Sequence, residues 1–167
     1  MKIRTGFVSN SSSSSFVICL PRRPTSVEEL KSWLFPKNNK TVKAYGEPIS
    51  TISIARQVFL DVANGEPLTS VEVVEEFSSG FVYDSEVKIP DWPSRYGKSD
   101  EEYQTIIREY EDNLIDAARQ LADTFVSQNE GMIFFRVSYG DEDGPFFSTM
   151  EHGGIFDNIS HKKISHL

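Results

Sequence analysis

The chain has 167 residues, 38% hydrophobic and 12% aromatic, with twelve Phe. That suits one domain with a substantial apolar core and excludes a globally disordered chain. The net charge is −8 but unevenly spread: residues 1–43 carry eight Lys or Arg against two acids (+6), and residues 44–167 carry nine against twenty-three (−14). An acidic body repels phosphate, so nucleic acid is not an expected partner, while a basic protein surface is electrostatically allowed.

Met1–Arg4 leads into a polar serine run, then five apolar residues and Pro21, which leaves no hydrophobic region adequate for a secretory leader. No stretch approaches the ~20 apolar residues that span a bilayer. The expectation is therefore a cytoplasmic protein without a membrane segment. Cys19 is the single cysteine and sits in Phe16-Val17-Ile18-Cys19-Leu20. It reads as a small buried hydrophobe in a reducing compartment rather than a nucleophile.

In chain order, Ile3–Ser9 and Phe16–Leu20 have strand character, with Asn10 and five serines, Ser11–Ser15, as a hydrated loop between them. Ser26 with Glu29 has the spacing of a capping box and opens a short helix through Leu30, Trp33 and Leu34, stopped by Pro36. Residues 37–48 read as a polar loop with room for one short strand. Ile52, Ala55, Val58, Phe59 and Val62 keep helical spacing up to Gly65, and Thr69 with Glu72 opens a further helix that stops at Gly80. Residues 81–98 are irregular and hold Pro90, Trp92, Pro93 and Tyr96. The clearest element spans 99–128, one long amphipathic helix opened by Ser99 and Glu102. The period then switches: 132–139 is expected as a strand, 140–144 as a turn, 146–151 as a return strand and 159–166 as a last strand. Residues 1–20 and 132–167 thus supply strands and the middle supplies helices. The expected fold is α+β, with an antiparallel or mixed sheet built from N- and C-terminal strands and helices packed on one face.

The opening Gly6-Phe7-Val8-Ser9-Asn10-Ser11-Ser12-Ser13-Ser14-Ser15-Phe16 resembles the start of a group of bacterial and phage-encoded proteins of unknown function. Gly140–Gly144, Glu151-His152-Gly153 and Ile164-Ser165-His166 are similar to endings of the same group. The resemblance covers roughly a quarter of the chain by these motifs. It implies a bacterial or phage origin and a cytosolic setting, and it transfers no functional residue.

Two constellations bear on function. Asn10 and Ser11–Ser15 suit a recognition tag bound in extended form or modified by phosphate, because small side chains let another backbone approach closely. Trp92 and Tyr96 join them as candidate binding residues in a Pro- and aromatic-rich loop. The second constellation is His152, His161 and His166 in the last sixteen residues, with Asp141, Glu142, Asp143 and Glu151 upstream. These are ligand types of zinc, manganese or iron sites, so a divalent metal is the one candidate cofactor. Strand geometry sets them apart: on a 145–151 strand Asp143 and His152 stand about 20 Å from each other, and His161 and His166, five apart, face opposite ways. At most a smaller set survives, His152 with one of the other two. No P-loop, nucleophile elbow, Cys–His pair, paired zinc cysteines or dinucleotide fingerprint is present. The leading expectation is a non-enzymatic protein-interaction module whose partner is another protein. The alternative is a metal-dependent hydrolase using His152 with a second C-terminal histidine and an acid, Glu151 being the candidate general base if a bend brings it round. The sequence leaves the oligomeric state open.

Overall fold

The computed structural model describes residues 13–44, 46–82, 92–140 and 144–166. The expected first strand at Ile3–Ser9, the residues Asn10, Ser11 and Ser12, and the acidic triplet at 141–143 lie outside the described residues.

The run Phe16–Leu20 has no polar alternation, and a strand that is apolar on both faces is stable only between two covered surfaces. That is where it sits. β1 (Ser13–Leu20) is an interior strand, paired antiparallel with β5 (Ile133–Gly140) on one side and β6 (His161–His166) on the other. A two-residue strand, β4 (Phe81–Val82), pairs with β6 and completes the sheet order β4-β6-β1-β5. The registers run Ser13↔Gly140 to Leu20↔Ile133 and Ser13↔His166 to Ile18↔His161.

Alternate β1 residues feed two separate cores. Phe16, Ile18 and Leu20 pack with Phe135, Val137 and Tyr139 of β5 beneath α1 (Val27–Leu34), α2 (Thr51–Asn64) and α5 (Pro145–His152). Val17 and Cys19 pack with Phe134 and Ile164 against α3 (Ser70–Ser78) and the second half of α4 (Asp100–Gln128). The expected α+β class and antiparallel sheet of terminal strands are present, but the helices cover both faces, not one. The reason is the unbroken apolar run of β1, which leaves neither face able to meet water. Burial pushes the Cys19 thiol up to about 12, partly offset by a hydrogen bond with Ser160.

Local chemistry sets the helix starts. Thr69 and Ser99 each accept from the backbone N–H three residues on, and Glu72 and Glu102 reach back to the cap N–H, two complete capping boxes. At Ser26 only half of the box forms. Its hydroxyl accepts from Glu29 N, but the Glu29 carboxylate accepts from Thr25 N and Oγ1 and pairs with Arg22. Together these donors, Arg22 foremost, hold that carboxyl down at about 2. At the far end of α2, Arg23 donates to Val62 O and Gly65 O, carbonyls that the helix leaves unpaired. A small hairpin of β2 (Thr41–Val42) and β3 (Ile49–Ser50) leads into α2.

Residues 146–151, expected as a return strand, are helical in α5. Pro145 occupies the first turn, where its missing N–H costs nothing, and Gly144 enters at φ 90°. The aromatic and β-branched run Phe146–Thr149 imitates a strand, yet the flanking Gly144 and Gly153 bracket a two-turn helix.

Candidate functional site

Interior placement decides the fate of the serine tract. Ser13, Ser14 and Ser15 are not a loop but the first three residues of β1, hydrogen-bonded to strands on both sides. Ser14 is 1% exposed and Ser15 0%. Neither offers an open strand edge for a peptide or an accessible hydroxyl for a modifying enzyme, so the tag expectation is corrected for Ser14 and Ser15, while Ser13 at the strand start is exposed. Small hydroxyls fit here because α5 crosses close to the sheet. Ser14 Oγ donates to Glu151 Oε1 at 2.6 Å, and Ser15 Oγ meets Ser138 Oγ at 3.1 Å.

Glu151 is therefore a buried carboxylate, 3% exposed, joining the N-terminal strand to the C-terminal helix. Its second oxygen, Oε2, has no hydrogen-bond partner among the described residues and stands 3.5 Å from His152 Nε2. That separation is beyond hydrogen-bond geometry but close enough for Coulomb attraction when the imidazole is charged. Lys163 of β6 donates from Nζ to Glu151 O at 3.1 Å and lies 3.4 Å from His152 Nδ1. The same ammonium is 5.8 Å from the centre of the Phe16 ring. These groups, with Phe156 and His161, surround a cleft of about 210 Å³.

Of the three candidate metal histidines, His152 and His161 line this cleft, and His161 holds Ile159 O with Nδ1 at 3.1 Å. His166 is at the other end of β6, opposite Ser13, about 16 Å along the strand from His161. Among the described residues no three His, Cys, Asp or Glu side chains are placed to hold a metal ion. On a strand Glu151 and His152 would face opposite ways, but α5 is helical and their side chains approach to 3.5 Å. Lys163 was not anticipated, because only the β1–β6 pairing brings it under α5. Through Ser14 and Lys163 the cluster ties β1 and β6 to the end of α5.

The other candidate residues lie at the N-terminal end of α4. Trp92 is 65% exposed although its ring meets the buried Tyr110 edge-on at 5.2 Å. Tyr96 is 94% exposed. Between them Arg95 is doubly held, 2.7 Å from Asp100 and with its guanidinium 5.7 Å from the Tyr103 ring centre. The segment is thus fixed on α4 while presenting two aromatic faces to solvent. α4 carries eight acids against Arg108 and Arg119. No helix among the described residues is long and apolar enough to cross a membrane. Comparison with protein-family models, with curated proteins and with solved structures finds no match.

Proposed function

We propose that this chain is a protein-interaction module whose contact surface is the segment 92–96 together with the adjoining acidic face of α4. The observation that carries the reading is Trp92, two-thirds exposed yet held against Tyr110. Aromatic anchors of this kind dominate binding energy at protein interfaces, and one already held in place loses little freedom on binding. The partner class follows from charge. A helix with eight acids and two arginines beside the anchor favours a basic protein surface that offers an apolar groove to the rings. The site of action is the cytoplasm of a bacterium or of a phage-infected cell, as the opening motif implies.

The experiment is affinity capture from a bacterial host lysate with the wild type and with Trp92→Ala/Tyr96→Ala, followed by reconstitution from pure components. A basic protein that binds the wild type at micromolar concentration or tighter, and the double variant at least 30-fold more weakly, supports the reading. Identical capture by both proteins removes it.

A further inference from the structure

The excess of positive charge near the start of the chain has no part in that interaction. Lys37, Lys40 and Lys43 fall within seven residues of a protein with net charge −8. Among the described residues none of the three has an ion-pair partner, whereas Arg22, Arg95, Arg119 and Arg136 each pair with an acid. Like charges clustered this closely repel each other, and an anion brought between them relieves that repulsion.

Lys37 and Lys43 line one cleft of about 410 Å³, within the roughly 300–1,000 Å³ typical of small-molecule sites. Asn39 and Thr41 add neutral hydrogen-bonding groups to the same wall. The opposite wall is the Gly153-Gly154 turn with Asp157 and Asn158. No side chain fits that turn. A Cβ on Gly153 would stand 2.4 Å from Thr149 O, and one on Gly154, at φ +63°, would stand 2.4 Å from Asp157 Oδ2. Contacts within the turn thus require both glycines, and the turn adds backbone without side chains to the cleft lining.

Both walls are pinned to the helices behind them. Thr51, at the start of α2, donates from N to Lys40 O at 3.0 Å and from Oγ1 to Asn39 O at 2.7 Å. Lys31 Nζ donates to Asn38 Oδ1 at 3.1 Å, and Asn38 takes the left-handed φ of 54° that asparagine tolerates. On the other side Asn158 Nδ2 donates to Leu34 O at 2.8 Å. The lysines thus project from a braced loop rather than a loose one.

We infer that the cleft between the Lys37–Lys43 loop and the Gly153-Gly154 turn binds a small phosphate monoester, with Lys37 and Lys43 on the phosphate and Asp157 accepting from a hydroxyl of the same ligand. Two ammonium groups match the charge of a phosphate monoester near neutral pH. A single carboxylate at the far wall disfavours a bare second phosphate there and suits a neutral donor. An extended nucleic acid would meet the −14 balance of the remaining chain.

The test is calorimetric titration of the full chain with ribose 5-phosphate and with inorganic phosphate, on the wild type, Lys37→Gln, Lys43→Gln, Lys40→Gln and Asp157→Asn. All four are exposed or partly exposed side chains, and circular dichroism confirms that each variant is folded. The expected result is binding of the ester, weakened at least tenfold by Lys37→Gln and by Lys43→Gln and less than twofold by Lys40→Gln, which removes the same charge from outside the cleft. Asp157→Asn is expected to weaken the ester while leaving phosphate unchanged or tighter. No binding of either probe at millimolar concentration overturns the inference. So does an equal loss with all three lysine variants, because it marks general electrostatic attraction instead of a site.

Discussion

Ser14 and Glu151 show how much one residue's role depends on what crosses it. In sequence Ser14 is the fourth of five identical residues. In the fold it donates to a buried carboxylate 137 positions away. Removing that hydroxyl leaves Glu151 Oε1 unpaired beside an Oε2 that already lacks a hydrogen bond, and unpaired buried acceptors cost about 1–3 kcal/mol, more when charged. Ser14→Ala is therefore expected to lower stability by about 2–3 kcal/mol in urea denaturation, against less than ~0.5 kcal/mol for Ser13→Ala at the exposed strand start. Combining Ser14→Ala with Glu151→Gln should recover part of the loss, because the two residues share one interaction. Glu29 offers a pH-resolved check. Its folded value of about 2 lies below the ordinary 4.5, so its contribution is complete above pH 4.5 and is lost as pH falls towards 2. Carbon-detected NMR titration should place its midpoint near that value, and Arg22→Ala should raise it, since Arg22 is the largest cause.

At the scale of elements, the sequence was most informative where the signal was local. The capping spacings at Thr69 and Ser99 and the three- and four-residue steps of 99–128 correspond to α3 and α4, because a cap and a stripe need only neighbouring residues. Ser99→Ala is expected to cost about 1 kcal/mol and to speed hydrogen exchange in the first turn of α4 before the rest of the helix. The reading of 146–151 failed because β-branched and aromatic residues lower helix propensity without forbidding a helix, and tertiary packing of Met150 and Thr149 decided the matter. The Ser26 box half-formed because Arg22 and Thr25 compete for Glu29, a competition that spacing alone does not display. The candidate sites were legible only in part. Trp92 and Tyr96 stood out by composition and are exposed. The Glu151–Lys163 contact depends on which strands pair and the lysine cleft on how the 37–43 segment meets the turn after α5, and periodicity reveals neither.

For the whole molecule, the consequence of an interior β1 is that two cores share one strand. Phe77 and Phe125 lie on one side of the sheet, Leu30 and Ile54 on the other. Phe77→Ala is expected to cost about 3–5 kcal/mol and Leu30→Ala about 2–5 kcal/mol. Because β1 belongs to both cores, loss of either should unfold both together, with tryptophan fluorescence and far-ultraviolet circular dichroism giving the same midpoint. Cys19, buried in the shared strand with its thiol held up at about 12, should resist alkylation at neutral pH and react only at the rate of global opening.

The measurement that tests the account most directly is photo-crosslinking from a benzophenone amino acid placed at position 96 of the full chain in bacterial host cells, with position 124 of α4 as the exposed control. The account expects one discrete adduct from position 96, to a basic protein, absent from position 124 and abolished by Trp92→Ala. No adduct at 96, or the same adducts at 96 and 124, would contradict an interface centred on the Trp92–Tyr96 segment.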